Sequence, residues 1–238
     1  MGMESEKIIR ENHDVLTMLD ELLEEREQQW WDDFYKNRNR KVPFFKDCPD
    51  DNLVKLIDSL DEKPKSALDI GCGNGRNSLY LKSHKIKVTG IDISKESIQW
   101  ASEKNDKNDP TKAEFETVSF FDFKPPVTHY DFIYDSGCLH HIKPHRRPEY
   151  LAKIASLLPA DGLFALNCFN LMVGANLSDY DVYRNNSMSG GLGYSKEKLT
   201  SILEDHFKII SFEQMTSNNN DKTMNLDILW YVIMKRKD

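Results

Sequence analysis

Apolar runs of strand length alternate with amphipathic stretches of helical length over most of the chain. The apolar runs lie at residues 67–70, 87–92, 114–120, 130–134 and 163–169. Apolar side chains recur at helical spacing in residues 76–83, 95–104, 147–158 and 196–203. Strands that alternate with helices in this way predict an α/β fold, a parallel sheet with helices on both faces. Two further apolar runs, at 207–212 and 228–234, predict a closing antiparallel hairpin.

The N-terminal part of the chain carries a different pattern. Residues 4–29 repeat apolar side chains at helical spacing, which predicts one long helix. Residues 30–35 are dense in aromatic side chains, and we expect Trp31 and Tyr35 to cover a bound ligand. A second helix is predicted at 52–60, where Asp50 or Asp51 can cap it. We therefore expect a helical cap segment over residues 1–60 and one α/β domain over residues 61–238.

Composition and charge narrow the class of protein. With 238 residues, 39% of them hydrophobic and 30% charged, the chain is long enough for one substantial core. The formal net charge of -7 argues against nucleic acid as the main partner. No apolar run approaches the roughly 20 residues that span a bilayer, and the first residues lack the apolar core of a signal peptide. We therefore expect no membrane partner and a cytoplasmic location.

The cysteines are scattered and form no C-x-x-C pair. They are Cys48, Cys72, Cys138 and Cys168. This spacing predicts neither a disulfide framework nor a zinc site. We therefore expect buried free thiols and no bound metal ion.

Three glycines at alternate positions follow the first strand, in Leu68-Asp69-Ile70-Gly71-Cys72-Gly73-Asn74-Gly75. Glycine lets the backbone turn tightly and leaves no Cβ between the backbone and a ligand. A dinucleotide-binding motif would require a third glycine where Arg76 stands, and Asp69 would repel a pyrophosphate. The same carboxylate would attract an ammonium and a sulfonium group. The charge of Asp69 therefore favours S-adenosylmethionine over NAD as the ligand.

Acidic residues stand at the ends of four successive predicted strands. They are Asp69, Asp92, Asp122 and Asp135. Ligands of open α/β sheets bind beyond the carboxyl ends of the strands. Asp92 follows the glycine turn by roughly 20 residues, where an acid accepts hydrogen bonds from the hydroxyls of a ribose. Two alternatives stay open. Asp92 could cap the next helix, although Ser94 can do so instead, and Asp122 could form a turn without binding a ligand.

The glycine segment, together with Gly90-Ile91-Asp92-Ile93-Ser94, resembles the first two motifs of class I S-adenosylmethionine-dependent methyltransferases. The likeness runs from about residue 65 to the end of the chain. It implies a Rossmann-like seven-stranded sheet of order 3-2-1-4-5-7-6, with strand 7 antiparallel. The segments at residues 31–35, 43–45, 50–53, 73–77 and 135–141 also resemble the branch that holds thiopurine and tellurite methyltransferases.

This resemblance implies a role for each matching residue. Gly71 and Gly73 would lie under the methionine part of the ligand, and Asp69 would order its ammonium group. Asp92 would hold the ribose, Ile93 would pack on the adenine, Asp122 would accept from the adenine amino group, and Asp135 would lie beside the transferred methyl. Further ligand contacts are expected from the same segments, at Tyr35, Cys72, Asn74, Arg76, Asn77 and Phe121.

His140 and His141 follow the fourth strand and are the candidates for a general base, with Asp135 as a third catalytic candidate. Because adjacent residues face different directions, we expect at most one of the two histidines in the site. Either could instead serve the local turn. A metal site with His145 is disfavoured, since no acidic or cysteine ligands accompany the three histidines.

The expected activity is methyl transfer from S-adenosylmethionine to a small-molecule acceptor with a sulfur, selenium, tellurium, oxygen or nitrogen nucleophile. The polar insertion at residues 170–193 is expected to form the acceptor wall with Tyr180, Tyr183 and Arg184. Three alternatives stay open: a protein or RNA methyltransferase, an NAD-dependent oxidoreductase, and a module that binds the cofactor without turnover. A monomer and a homodimer are both compatible with the sequence.

Overall fold

The computed structural model describes residues 8–23, 27–105, 113–217 and 221–237. Within these residues the strands are β1 Ser66–Ile70, β2 Lys87–Asp92, β3 Glu114–Thr117, β4 Phe132–Ser136, β5 Leu163–Phe169, β6 Phe207–Gln214 and β7 Leu229–Arg236. They form one seven-stranded sheet in the order β3-β2-β1-β4-β5-β7-β6. Strand β7 runs antiparallel to both β5 and β6, and the other pairs are parallel. The predicted strand order and direction are confirmed.

Helices cover both faces of the sheet. They are α1 Asn12–Leu22, α2 Gln28–Lys36, α3 Asp51–Ser59, α4 Arg76–Ser83, α5 Lys95–Lys104, α6 Arg147–Ser156, α7 Asp179–Arg184 and α8 Lys196–Leu203. Helices α3 and α4 pack on one face, where Leu53 and Leu81 join an apolar cluster with Phe132 of β4. Helices α6 and α8 pack on the other face, where Ile154 and Leu199 join a second cluster.

The strand sequences reflect their places in the sheet. The central strands β1, β4 and β5 are buried on both faces, which explains why their sequences are nearly continuous apolar runs. Strand β3 forms one edge and is mostly exposed, with Glu114 and Glu116 on it. Charged side chains on an edge strand discourage pairing with another chain.

The prediction of one long N-terminal helix over residues 4–29 is wrong in its described part. Helix α1 ends at Leu22, Leu23 leaves the helical conformation, and α2 begins at Gln28 after an extended Glu27. Residues 4–7 and 24–26 of the predicted helix lie outside the described residues. Leu23 is fully buried in the cluster on the α6 face. The end of α1 thus coincides with the burial of Leu23, and tertiary packing of this kind can override helical propensity.

Other sequence expectations meet the structure with smaller differences. The insertion at 170–193, which has no clear periodicity, contains the short helix α7. The boundary proposed at residue 60, between the cap segment and the α/β domain, stays a prediction. Leu53 and Ile57 of α3, on the cap side of it, share an apolar cluster with β1 and β4. Among the described residues, no helix is both long enough and apolar enough to cross a membrane.

Candidate active site

A cavity of about 550 Å³ lies at the carboxyl edge of the sheet. Its floor comes from the glycine turn after β1, the ends of β2 and β4, and residues 118–121 beyond β3. Aromatic residues of α2 line it from the side of the N-terminal segment. This is the edge at which open α/β sheets bind their ligands.

The glycine turn has a backbone that side chains would disrupt. Gly71, Gly73 and Gly75 have φ values of 65°, 54° and 76°, all in the left-handed region. A Cβ at Gly73 would lie 2.6 Å from the Tyr35 hydroxyl oxygen, and one at Gly71 would lie 3.3 Å from the Cβ of Cys138. The turn therefore exposes backbone atoms to the cavity, and the side chain of Tyr35 lies over Gly73.

Asp69 places a buried carboxyl group beside this turn. Its side chain lines the cavity although the residue is only 1% exposed. The Ser78 hydroxyl donates a hydrogen bond of 2.6 Å to Oδ2. Burial raises the pKa of Asp69 to about 7, because a charged carboxylate is poorly solvated there. A cation bound next to Asp69 would supply the missing stabilisation of the ionised form.

Asp92 connects the turns that follow β1 and β2. Its Oδ2 accepts from the Gly73 backbone N–H at 2.9 Å, and its Oδ1 accepts from that of Ser94 at 2.8 Å. Burial raises the pKa of this carboxyl group above its usual value. Ser94 caps α5 by accepting from the Ser97 N–H, as the sequence predicts. Since a carboxylate has about four lone-pair positions, Asp92 keeps capacity to accept from a ligand in the cavity.

Asp122 and Asp135 lie elsewhere than expected. Asp122 is exposed in the turn after β3, and it is not among the described residues that line the cavity, whereas Phe121 is. Asp135 is fully buried and does not line the cavity. Its carboxylate accepts from the backbone N–H of Cys138 at 2.7 Å and from the Tyr150 hydroxyl at 2.8 Å.

The pleat of β4 explains this correction. Successive residues of a strand point to opposite faces, so Asp135 faces α6 while the next residue, Ser136, lines the cavity. Burial raises the pKa of Asp135 to about 6. Asp135 therefore holds the turn that carries the histidines. The sequence predicts that it faces the cavity, beside the transferred methyl, and it does not.

The remaining residues of the glycine segment line the cavity in different ways. Cys72, Asn74, Arg76 and Asn77 all contribute to its lining, as does Ile93 after β2. The polar ends of Arg76 and Asn77, however, turn to Asp50: Arg76 Nη1 lies 2.7 Å from Oδ1, and Asn77 Nδ2 donates to Oδ2 at 3.0 Å. These two side chains therefore connect the cavity wall to Asp50, and their polar ends are already paired there.

Asp50 is the centre of a buried polar network that the sequence did not indicate. Its Oδ2 also accepts from the hydroxyls of Tyr134 and Ser136, at 2.8 Å and 2.6 Å, and from Asn167 Nδ2 at 3.1 Å. The sequence suggested Asp50 only as a helix cap, yet its side chain caps no helix. Asp50 instead ties the segment before α3 to the ends of β4 and β5.

Both histidines line the cavity, which corrects the expectation that at most one would do so. Leu139–His141 form a turn of 3-10 helix, and the rings of His140 and His141 lie 4.4 Å apart. His140 stacks on Phe169 at 3.6 Å, and its Nδ1 accepts from the Phe169 backbone N–H at 3.3 Å. The ring of His141 meets Trp31 edge to face at 5.1 Å.

His145 points away from this cavity. Its Nδ1 lies 2.6 Å from the Tyr183 hydroxyl and its Nε2 lies 2.9 Å from Asp20 Oδ1 of α1. The three histidines therefore do not gather around one point. In the part of the chain that the structure describes, no group of three His, Cys, Asp or Glu residues could hold a metal ion.

The expected acceptor wall from the insertion is not found at the named residues. Tyr180 is 77% exposed, Tyr183 bonds to His145, and Arg184 is exposed and pairs with Asp181. None of them is among the described lining residues. The lining instead includes Phe169 at the end of β5 and residues of the connection from β6 to β7. These last residues are Met224 and Leu226, and Leu229 at the start of β7 lines the cavity beside them.

Comparisons with known proteins agree with this geometry. The family model described as "Methyltransferase domain" matches residues 67–162. An uncharacterised methyltransferase of Schizosaccharomyces pombe is 31% identical over 119 residues, which cover 50% of this chain and 79% of the relative. The chain belongs to the class I S-adenosylmethionine-dependent methyltransferases.

Two further comparisons relate the methyltransferase to proteins with named acceptors. Thiocyanate methyltransferase 1 of Brassica oleracea is 31% identical over 111 residues, 46% of this chain and 49% of that protein. The structure of Burkholderia thailandensis 1,6-didemethyltoxoflavin-N1-methyltransferase superposes with a TM-score of 0.63 at 17% identity, over 98% of this chain and 94% of that one. At this identity the second likeness concerns the fold alone.

The cavity of the methyltransferase fits its cofactor, S-adenosylmethionine. Asp69 places a buried carboxyl group next to glycines whose missing Cβ atoms leave the backbone open. Asp92 places a carboxylate at the end of β2, and Ile93 and Phe121 add apolar surface to the same cavity. The family relatives identify the protein as a methyltransferase that uses S-adenosylmethionine, so the NAD-dependent alternative is not retained.

The sequence missed several lining residues of the methyltransferase. They are Trp30, Phe34, Phe44, Ser119, Ser136, Phe169, Met224, Leu226 and Leu229. Phe34 and Phe44 lie in the aromatic segments of the cap, which did hint at a covering role. Met224 and Leu226 left no signal, because apolar residues near a strand are ordinary core candidates.

Proposed function

We propose that this enzyme methylates a small molecule, bound at the end of the cavity where the histidines lie. The observation that carries the proposal is that His140, His141 and Phe169 line the same cavity as the glycine turn. Its volume of about 550 Å³ falls within the range of roughly 300–1,000 Å³ for small-molecule sites. Helix α2 and the β6–β7 connection both contribute to its lining, which suits a small acceptor better than a folded macromolecule.

The donor-binding roles are assigned to residues that line the cavity. Asp69 holds the ammonium, the backbone of Gly71 and Gly73 lies against the methionine part, and Asp92 accepts from the ribose. Ile93 and Phe121 pack on the adenine. Asp122, which the family resemblance assigns to the adenine amino group, is exposed in a turn and is left out of this assignment.

S-adenosylmethionine supplies an electrophilic methyl group on a sulfonium. The protein then has to hold the acceptor in line with that group and to keep water away. Positioning of this kind can lower a barrier by roughly 7–11 kcal/mol. Tyr35 is well placed to exclude water, since it is 7% exposed, stacks on Phe45 and covers Gly73.

His141 is the better candidate for a general base when the acceptor is a hydroxyl or an amine. His140 Nδ1 accepts the Phe169 N–H, so a neutral His140 carries its proton on Nε2. With that tautomer, His140 can donate a hydrogen bond but has no lone pair left to take a proton. We therefore assign His140 to positioning and His141 to proton removal.

The test is the release of S-adenosylhomocysteine over a panel of thiols, phenols, amines and oxyanions. With a hydroxyl or amine acceptor, His141→Gln should lower kcat by about 10²-fold or more, the usual contribution of a general base. Its affinity for S-adenosylhomocysteine, measured by calorimetry, should stay unchanged. His129→Gln, at an exposed position, is the matched control.

Two results would count against the proposal. Turnover with a protein or RNA and with no small molecule would overturn the acceptor class. An unchanged kcat in His141→Gln across the pH range, with a hydroxyl or amine acceptor, would remove the base assignment and leave the acceptor class intact.

A further inference from the structure

Apolar and imidazole side chains that contact one another make up a large part of the cavity lining. We call this part the acceptor end and define it by Trp31, Phe34, Phe44, His140, His141, Phe169, Met224 and Leu226, all of which line the cavity. The residues come from α2, the segment before α3, the turn after β4, the end of β5 and the β6–β7 connection. They are brought together only in the folded protein.

The contacts between these residues can be followed from one side chain to the next. The ring of Trp31 lies 5.1 Å from that of His141, and His140 stacks on Phe169 at 3.6 Å. Phe169 and Phe44 both pack against the apolar cluster that contains Met224. The series of contacts returns to Trp31 through Phe34, whose ring lies 5.9 Å from Phe44 and 5.8 Å from Trp31.

Met224 is held at the acceptor end by backbone pairing. Its N–H donates to the Pro49 carbonyl at 2.7 Å, and its carbonyl accepts from the Asp51 N–H at 3.0 Å. The Thr223 hydroxyl adds a bond of 2.9 Å to Asp51 Oδ1. The part of the wall formed by Met224 is therefore fixed to the start of α3, and a ligand meets a preformed surface there.

The acceptor end contains no fixed charge among its described residues. The charged side chains that line the cavity are Asp69 of β1, Asp92 at the end of β2 and Arg76 at the start of α4. Arg76 is already paired with Asp50, and it also donates to the Cys48 carbonyl at 3.2 Å. The guanidinium of Arg40 lies over the ring of Phe34, 4.8 Å from its centroid, and donates to the Phe34 carbonyl at 3.0 Å, but Arg40 is not among the described lining residues.

This distribution of charge restricts the acceptor. A carboxylate or oxyanion would enter apolar surroundings without a cation to pair with, and it would also approach two aspartates. An ammonium group would find no anion, because the proposed donor uses Asp69 and Asp92. A flat ring, by contrast, can stack and pack on imidazole, phenyl and indole surfaces.

We infer that the methyl acceptor of this enzyme is an uncharged ring compound, held at the acceptor end between the His141–Trp31 pair and the Met224–Leu226 wall. This inference rests on the proposed small-molecule function and deepens it. It excludes small oxyanions, carboxylate-bearing rings and cationic amines as good acceptors.

The test compares three phenols that share the ring and its phenolic hydroxyl and differ in the charge of the para substituent. They are hydroxybenzyl alcohol, hydroxybenzoate and hydroxybenzylamine, and selenite and tellurite serve as ions without a ring. Binding to the full chain saturated with S-adenosylhomocysteine is measured by calorimetry and by quenching of tryptophan fluorescence. The neutral phenol should bind at least about tenfold more tightly than either charged one.

A charge placed in the wall should reverse this order. Leu226 is half-buried at the cavity, and Leu226→Lys should tighten the binding of hydroxybenzoate by about tenfold while it weakens that of hydroxybenzyl alcohol. Met172→Lys, at a residue that is 66% exposed, is the matched control and should change neither. Unchanged affinity of both variants for S-adenosylhomocysteine shows that they fold.

The outcomes separate this inference from the proposed function. Equal or tighter binding of hydroxybenzoate, hydroxybenzylamine, selenite or tellurite by the native protein would overturn the inference, and so would the absence of binding by all five compounds. If the native protein turns over a charged small molecule, the inference fails while the small-molecule function stands. If turnover needs a protein or RNA, the proposed function itself fails.

Discussion

Replacing Asp69 with asparagine is expected to stabilise the free enzyme and to weaken its binding of the cofactor. Asp69 is 1% exposed, and its carboxyl group accepts one hydrogen bond, from Ser78. Asparagine has nearly the same shape, and its carbonyl oxygen can accept the same bond. The substitution therefore removes a buried charge with little change in packing.

The magnitude follows from the pKa of Asp69, which burial raises from 3.8 to about 7. One pKa unit corresponds to about 1.4 kcal/mol, so the shift of about three units corresponds to about 4 kcal/mol. The folded carboxyl group keeps its proton up to about pH 7, whereas the unfolded one loses it near its ordinary pKa. The free energy of unfolding of the native protein therefore falls as the pH rises through this window.

Asparagine does not titrate, so the variant escapes this loss. The stabilisation that comes from avoiding this loss is absent near pH 4 and complete above pH 7. An amide N–H without an acceptor costs about 1–3 kcal/mol, which leaves a net gain of about 1–3 kcal/mol at pH 8. The affinity for S-adenosylhomocysteine should fall by about 30-fold or more, because a buried partner of the ammonium has lost its charge.

Urea denaturation at pH 5 and pH 8 measures the stability, and calorimetry measures the affinity for S-adenosylhomocysteine. Asp161→Asn, in the exposed turn before β5, is the control and should change neither quantity. The reasoning is refuted if Asp69→Asn is no more stable than the native protein at pH 8. It is also refuted if their difference in stability is the same at both pH values.

Three further predictions concern the surroundings of the cavity. Gly73→Ala should lower the free energy of unfolding by about 1–2 kcal/mol because of its left-handed φ of 54°, and further because the new Cβ clashes with the Tyr35 hydroxyl. Adding Tyr35→Phe should restore only the part lost to the clash, as measured by urea denaturation. Arg76→Met should lower the free energy of unfolding by about 3–5 kcal/mol, because it leaves Asp50 buried without its cation. Adding Asp50→Asn should restore much of this loss, as measured by scanning calorimetry. An Arg76→Met protein of native stability would contradict the argument. Asp20→Asn removes the charge that pairs with Arg146 at 2.5 Å and also with His145 and Lys143. Hydrogen exchange of α1 should therefore accelerate while that of the central strands stays unchanged, and equal exchange in α1 would mean that these ion pairs do not hold the helix.

The donor half of the site was largely accessible from the sequence. Asp69, Gly71 and Gly73 lie within one strand and the turn that follows it, so local sequence decides where they point. Asp92 and Ile93 end the neighbouring strand, and the parallel pairing of β1 with β2 brings them to the same edge. Short-range geometry and one strand pairing are enough to assemble this half.

The error at Asp135 shows where local pattern stops being informative. Strand β4 is buried on both faces, so its sequence has no alternation of polar and apolar residues to say which side faces the cavity. A shift by one residue exchanges the faces of a strand. Only the packing of Tyr150 from α6 against Asp135 decides that Ser136, and not Asp135, lines the cavity.

By itself, then, the sequence determined the sheet, the glycine turn and the charge that favours S-adenosylmethionine, because these depend on neighbouring residues and on the order of the strands. The acceptor end depended on the tertiary structure. It joins Phe44, His141 and Met224, which are far apart in the chain and meet through the pairing of Met224 with Pro49 and Asp51. No periodicity or local motif encodes a contact of that range, so the donor could be inferred from the sequence and the nature of the acceptor only from the fold.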